Sequence, residues 1–219
     1  MNLVKKWAGC VVSFFAGVCG LLLSLTVGMK ASALIDASAL ESMLGFDASQ
    51  KVKTTTKAFK VLTDGDLYTE AKELGIGSEF MVMKIFAIIT LLVSVLLIAY
   101  GVVLLLKNLN QIKLDCKITT IAGICLFALL LVATIGLLVA SNNYANAMED
   151  AMLSTMKALF GAELSAVLAP EMVASILAQI GFSINVSVGV YQPAMLVISI
   201  ICALAFGVVT FMNMKKKKA

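Results

Sequence analysis

The sequence contains no histidine and no arginine, and few of the residues that build catalytic or metal sites. All seventeen basic residues among the 219 are lysine, and charged residues make up only 14% of the chain. Without histidine, and with its acidic residues scattered, the chain offers neither a convergent acid, base and nucleophile nor a metal-ligand spacing. We therefore expect no catalytic residues, no cofactor and no metal, and a protein that is not an enzyme.

The positions of the cysteines exclude disulfide bonds as a means of ordering the two long segments between the apolar parts of the chain. None of the five lies in the two long polar segments, 31–83 and 141–192. Such loops would have no disulfide to hold them and must be ordered by packing, by the membrane or by a partner. The cysteines are Cys10, Cys19, Cys116, Cys125 and Cys202.

Long apolar runs are what the chain has instead, since 61% of its residues are hydrophobic. Four runs contain no charged residue, and each is close to the roughly 20 residues that cross a bilayer core of about 30 Å. These runs predict an all-α integral membrane protein, a bundle of four transmembrane helices in a single domain. The predicted spans are 7–29, 85–106, 118–140 and 194–212.

Lysine placement predicts the orientation of these spans. The short segments are basic, whereas each long segment has a net charge of −3, with five lysines against eight acids in 31–83 and one against four in 141–192. By the positive-inside rule both termini and the linker between spans two and three are cytosolic, and the long loops are extracytosolic. The short-segment lysines are Lys5, Lys6, Lys107, Lys113, Lys117 and Lys215 to Lys218.

The first span has a competing interpretation as a cleaved signal peptide. Lys5 and Lys6, the apolar stretch and the small residues Ala31-Ser32-Ala33 follow the usual order of charge, apolar core and cleavage site. The apolar stretch exceeds 20 residues, longer than a typical signal core. We therefore favour a retained transmembrane helix.

An internal repeat is a further hypothesis, because each half of the chain consists of a span, a loop of about 50 residues and a second span. A shift of 106 residues places 16–19 on 122–125 and 99–103 on 205–209. Chance similarity between apolar helices is the alternative explanation. A true repeat would relate residues 1–107 to 113–219 as parallel copies, which excludes an inverted-repeat transporter.

Span one carries small residues at every fourth position, on two faces. Such faces let helices approach closely in lipid, where association depends on packing and backbone contacts. Packing within the chain is the simpler interpretation, and use of one face by a second subunit is the alternative. The candidate helix-packing residues are Gly9, Ser13, Gly17, Gly20, Ser24 and Gly28.

The two long loops are predicted to contain helices and a small β element. Thr69 to Leu74 is predicted helical, with a continuation through Gly75 and Gly77 left open, and Met148, Met152, Met156 and Leu159 have amphipathic helical spacing. A strand alternates apolar and polar residues and needs an edge, either Lys51 to Thr63 or the same strand of a second copy. The apolar residues of this candidate assembly strand are Phe182, Ile184, Val186, Val188 and Val190.

The layout of four spans, cytosolic ends and two outer loops resembles that of claudins, connexins and tetraspanins in architecture alone, because their extracellular cysteine patterns are absent. The sequence favours a non-enzymatic structural or accessory protein that self-assembles or joins a membrane complex, with an oligomeric large-pore channel as the alternative. The partners expected are the lipid bilayer and a second copy or a membrane-complex partner, with no nucleic acid. The expected location is the cell membrane, or the endoplasmic reticulum in a eukaryote, where Lys216 and Lys217 resemble a retrieval signal.

Overall fold

The computed structural model describes residues 2–36, 54–60, 62, 67–165, 172, 181–188 and 191–215. Helices dominate this part of the chain, and the strands fall between the first and the last of them. In order, the elements are α1 (Asn2–Thr26), β1 (Gly28–Asp36), β2 (Thr54–Lys60), α2 (Leu67–Glu73), α3 (Gly77–Asn108), α4 (Cys116–Ser165), β3 (Gly181–Val188) and α5 (Tyr191–Lys215).

Four long helices pack side by side as a bundle. α1 lies between α3 and α5, and α4 lies between the same two helices on the opposite side. The end of α1, at Leu23 and Val27, packs with the start of α3 at Phe80, so these neighbours run antiparallel. The bundle therefore has two distinct ends, which we call the sheet end, near Val27, and the turn end, near residues 109–115.

Each end has its own buried core. The sheet-end cluster joins α1, α2, α3, α4 and β3, and the turn-end cluster joins the four bundle helices. The fully buried members of the sheet-end cluster include Phe80, Met83 and Leu137, and those of the turn-end cluster include Leu97 and Leu130. Both clusters are made of aliphatic, aromatic and sulfur-containing side chains, as expected where α-helices interdigitate.

Among the described residues, three helices are long and apolar enough to cross a membrane, over Trp7–Thr26, Gly77–Asn108 and Cys116–Ala162. These contain the first three predicted spans, although helix α1 ends at Thr26 and the chain is already in β1 at residue 28. α5 has a shorter apolar segment, Val197–Val209. The predicted mostly helical membrane protein is confirmed at this level.

The strands form a small antiparallel sheet in the order β2-β1-β3. β1 follows α1 almost directly, and it pairs with β2 on one side and β3 on the other. The predicted strand is present at Gly181–Val188, but its partner is β1 of the same chain. The expectation that Lys51 to Thr63 supplies that edge is therefore wrong, because β1 lies between β2 and β3, whereas pairing of β3 with a second copy stays a prediction.

The β1–β3 register explains why the strands pair in this way. Met29, Ala31, Ala33 and Ile35 stand opposite Val188, Val186, Ile184 and Phe182. Directly opposite residues in an antiparallel pair are the closest side-chain neighbours across the strands. The apolar alternation of β3 thus coincides with an apolar alternation in β1, which was harder to see because two of the four residues are alanine.

The corner between α2 and α3 depends on a glycine. Gly75 has a φ of +77°, a left-handed conformation that costs glycine no steric penalty. Its N–H donates to the Lys72 carbonyl at 3.1 Å, and the Ile76 N–H donates to the Ala71 carbonyl at 2.9 Å. These two bonds close α2 in a Schellman motif. α2 therefore does not continue through Gly75, and α3 begins separately at Gly77.

The third span and the methionine-rich segment belong to one helix. α4 runs from Cys116 to Ser165 without a break, so it extends past the predicted end of the span at residue 140. The predicted third span therefore ends inside a helix, because helical hydrogen bonding continues through Asn142 and Asn143 into the predicted outer segment. At 1.5 Å per residue, α4 is roughly 75 Å long.

The predicted repeat remains a prediction, and the segments that follow spans one and three differ. Residues 28–36 form β1, whereas residues 134–142, which a shift of 106 places on them, lie within α4. The signal-peptide interpretation would place cleavage at Ala31-Ser32-Ala33, within the central strand β1. Cleavage there would divide β1 and separate α1 from the helices that it packs against.

Candidate membrane surface and sheet-end unit

An apolar surface surrounds the bundle. On α1 the strongly exposed large side chains follow one another at spacings of four and three residues, which places them along one helix face. They are Val11, Phe15, Val18, Leu22 and Leu25, with exposures of 41 to 62%. A soluble bundle would expose polar residues there, so this face is suited to lipid.

The apolar surface around the bundle has a defined height along the axes of α3 and α4. The strongly exposed apolar side chains extend from Met81 to Val102 on α3 and from Ile118 to Val139 on α4. Each run covers roughly 32 Å at the helical rise of 1.5 Å per residue. Two antiparallel helices thus give the same height, and it matches a hydrocarbon core of about 30 Å.

The exposed face of α4 changes character beyond Val139. Its exposed side chains are mostly polar from there onward, beginning with Asn142 and Asn143 and continuing through Asn146, Asp150 and Lys157. Because one continuous helix has an apolar face followed by a polar face, the change marks the edge of the lipid. The helix beyond this edge, with α2 and the three strands, forms what we call the sheet-end unit.

The small residues of α1 lie against α3. Ser13 and Ser24 are fully buried, and a Cβ added to Gly17 would lie 2.9 Å from the Ser94 carbonyl oxygen. A Cβ at Gly20 would collide with the Ser94 hydroxyl and approach Leu130 at 3.2 Å. Ser13, Gly17, Gly20 and Ser24 therefore face the interior of the bundle, and use of either face by a second subunit stays a prediction.

The two remaining candidate helix-packing residues, Gly9 on α1 and Gly28 in β1, lie in different surroundings. Gly9 is half-buried, and a Cβ added there would meet Leu104 at 3.8 Å, an ordinary contact. Gly28 lies in β1, opposite Lys60 of β2. Gly9 therefore shows no close helix contact that requires glycine.

Hydroxyl groups account for every buried polar side chain in the described residues. Thr90 donates to the Phe86 carbonyl at 2.8 Å and Ser94 to the Thr90 carbonyl at 2.6 Å, so each is paired within its own helix. Such bonds let a hydroxyl lie in an apolar interior without an unpaired donor. The buried polar residues are Ser13, Ser24, Thr90, Ser94, Thr119, Thr134, Ser141 and Ser199.

Aromatic rings fill the bundle near the turn end. Phe127 of α4 stacks on Phe206 of α5 with ring centroids 4.5 Å apart, and Phe206 meets Tyr100 of α3 edge-on at 6.2 Å. A Cβ at Gly123 would collide with the Phe206 ring. These rings therefore pack across the bundle between α3, α4 and α5 near its turn end.

The turn between α3 and α4 is closed by backbone and side-chain caps. Asn110 takes a left-handed φ of 57°, and the Gln111 N–H donates to the Leu106 carbonyl at 3.0 Å, which ends α3 in a Schellman motif. The Asp115 carboxylate then accepts the Lys117 N–H at 3.0 Å, as the N-cap of α4.

Two further bonds tie this turn to the bundle. The Tyr100 hydroxyl donates to the Thr119 carbonyl at 2.7 Å, and the Lys107 ammonium donates to the Thr119 hydroxyl at 2.8 Å. Sequence reasoning missed this site. Its signal was one tyrosine inside an otherwise aliphatic run, because a buried phenol needs a hydrogen-bond partner.

In the sheet-end unit, aromatic contacts hold α4 against α2 and α3. The Tyr144 ring meets the Phe80 ring edge-on at 5.6 Å, and Phe80 meets Tyr68 of α2 at 6.2 Å. Tyr144 is only 5% exposed, while Ala145 beside it is also buried. This packing orders the unit without a disulfide, since all five cysteines are free.

The methionine stripe faces the same cluster. Met148 is buried, and Met152 and Met156 are partly buried against the sheet-end cluster, whereas Leu159 is 62% exposed. The methionines of this amphipathic stripe therefore serve as core of this chain. Leu159 lies beyond the end of that contact.

Four of the five residues of the candidate assembly strand belong to β3. Phe182, Ile184, Val186 and Val188 lie in β3, and Val190 lies outside the described residues. Val186 is buried against α4 in the sheet-end cluster. β3 is an edge of the described sheet, with β1 on its inner side.

A bundle whose buried polar side chains, among the described residues, are all hydroxyls, inside an apolar belt about as high as a bilayer core, defines a mostly helical, membrane-embedded protein. Comparison with models of known protein families and with curated proteins gives no match for this chain.

Proposed function

We propose that the chain is a non-enzymatic structural or accessory protein, anchored by four transmembrane helices and acting through its sheet-end unit. One observation carries the proposal. The bundle interior is packed with paired hydroxyls and aromatic rings, whereas the sheet-end unit extends α4 well beyond the lipid edge at Val139. A protein built in this way offers its specific surfaces outside the membrane.

The fourth span is part of the proposal. α5 contacts both α1 and α4, and its exposed side chains are as apolar as theirs, with Leu204 66% and Val208 59% exposed. An antiparallel fourth crossing puts both termini on the side of the turn end. The lysine distribution supports assigning that side to the cytosol.

Assembly is proposed to occur through the sheet-end unit rather than through α1. Gly17 and Gly20 of α1 already pack against α3 within the chain. The edge strands β2 and β3 and the exposed polar face of α4 are the remaining candidates. Edge strands commonly mediate pairing between chains.

The test uses a single cysteine at the sheet end. Ser154 is exposed on α4, and the native cysteines lie in the bundle helices and at the start of α4, so Ser154→Cys introduces the one thiol of the sheet-end unit among the described residues. A membrane-impermeant maleimide applied to intact cells should label this variant. The exposed Cys116 at the turn end is the matched control and should react only after permeabilisation.

A bifunctional form of the same reagent should cross-link Ser154→Cys in native membranes, and sizing in mild detergent should give a particle larger than one chain. Monomers that form no cross-link in membranes would contradict assembly. Imaging that reveals a ring of subunits around a central opening would favour the oligomeric channel instead.

A further inference from the structure

The surface at the turn end combines basic and apolar side chains. Lys113 and Lys117 are exposed, and so are Leu109 at 50% and Leu114 at 41%. The leucines lie in the connection between two lipid-embedded helices, outside the apolar runs of either.

The position of this turn explains the combination. The lipid-facing run of α4 begins at Ile118, which is 64% exposed, so Leu114 and Lys117 lie within four residues of the hydrocarbon edge. The headgroup layer on each side of a bilayer is about 5 to 8 Å thick. The turn therefore lies at headgroup depth, where leucines reach acyl chains and lysines reach phosphates.

The turn carries a net positive charge, because Lys113 and Lys117 outnumber its single acid. Asp115 is the one acid in the turn, and its carboxylate caps α4 by accepting the Lys117 N–H. Lys107 donates to Thr119. The ammonium groups of Lys113 and Lys117 have no acidic partner within the turn, and α1 begins and α5 ends at this end of the bundle, adding lysines of the same sign.

We propose that the turn from Leu109 to Lys117 is a docking surface for anionic phospholipid of the adjacent leaflet. Leu109 and Leu114 enter the acyl boundary, while Lys113 and Lys117 contact the headgroup phosphates. Juxtamembrane lysines attract anionic lipid by an amount that corresponds to about fivefold in association per lysine at low salt. The proposal requires the membrane embedding but not the assembly function, so either can fail without the other.

The experiment measures lipid selectivity at the turn itself, so that the terminal lysines do not obscure it. Trp7 is the one tryptophan of the chain, and Trp7→Phe combined with Leu114→Trp places the only indole in the turn. The full chain is reconstituted in vesicles containing brominated phosphatidylglycerol or brominated phosphatidylcholine. Fluorescence quenching then gives the relative association of the two lipids with the turn.

Phosphatidylglycerol should be preferred by up to about 25-fold when the two lysines act independently, and Lys113→Gln with Lys117→Gln should remove most of that preference. The matched control is Lys72→Gln with Lys157→Gln, which removes the same charge from exposed positions of the sheet-end unit and should leave the preference unchanged. Salt at about 1 M should weaken the preference, because it screens exposed charges.

Equal quenching by the two lipids, or equal preference in the turn variant and the control variant, would overturn the proposal. Inorganic phosphate, compared with chloride at matched ionic strength, should compete no better for the turn. If phosphate alone abolishes the preference, the surface binds free phosphate and the lipid assignment fails. Unchanged circular dichroism and detergent melting temperature show that each variant is folded.

Discussion

Gly17 faces the backbone of α3 across a gap that has no room for a side chain. A Cβ there would lie 2.9 Å from the Ser94 carbonyl oxygen and 3.1 Å from the Ile98 nitrogen. Backbone atoms cannot rotate away as a side chain does, so relief requires the two helices to separate. In lipid, such close approach is a main source of helix association, because there is no hydrophobic drive between helices.

We expect Gly17→Ala to lower the free energy of unfolding by about 1 to 3 kcal/mol, the usual cost of overpacking a well-filled core. Gly207→Ala is the matched control, since a Cβ at Gly207 meets nothing within 4 Å and alanine favours the helix. Reversible unfolding in mixed micelles measures both. A Gly17→Ala protein as stable as the control would contradict the close contact.

At the scale of elements, α4 connects the membrane bundle to the sheet-end unit. The helix packs with α3 along the bundle and then contacts β3 beyond it. Tyr144 lies just past the lipid edge, where its ring contacts Phe80 at the start of α3. Because α4 is unbroken there, its orientation in the membrane also sets the orientation of the sheet-end unit.

Tyr144→Ala should lower stability by about 3 to 5 kcal/mol, as other large aromatic truncations in cores do. The loss of stability should be confined to the sheet end. Amide hydrogen exchange of Leu67–Glu73 should therefore accelerate, while exchange near Leu97 and Leu130 should stay slow. Asn143→Ala, at the exposed neighbouring position, should leave the amide exchange rates of both regions unchanged. Faster exchange throughout the bundle would show that the two clusters unfold together.

At the scale of the whole molecule, the height of the apolar belt determines the bilayer thickness in which the chain is most stable. The exposed apolar runs of α3 and α4 are both roughly 32 Å high at the helical rise. A bilayer of different thickness leaves apolar side chains in water or polar ones in lipid. Each Å of mismatch costs a fraction of a kcal/mol.

The chain should therefore have its highest melting temperature in lipids whose hydrocarbon core is about 30 Å thick, and lower values in cores several Å thinner or thicker. Nanodiscs that differ only in acyl-chain length provide the measurement, with headgroup composition held constant. A melting temperature that rises steadily with chain length would contradict the belt height. Gly207→Ala serves again as a control that should follow the parent chain.

The sequence by itself determined the elements whose signal is local. Charge-free apolar runs predicted the three long membrane helices, period-two alternation predicted the strand at Gly181–Val188, and the spacing from Met148 to Met156 predicted a helix with a buried face. Each of these patterns repeats within a few residues, and burial on one face is enough to produce it. The small residues of α1 indicated close packing for the same reason.

Only the tertiary structure decided which surfaces meet. β1 has a weak alternation built on alanines, and its partner β3 lies about 150 residues later, so no local pattern predicted that pairing. The continuity of α4 past residue 140 was also hidden, because hydropathy marks where lipid ends and not where a helix ends. The partner of Gly17 is Ser94 because α3 packs beside α1, and that choice depends on the whole bundle.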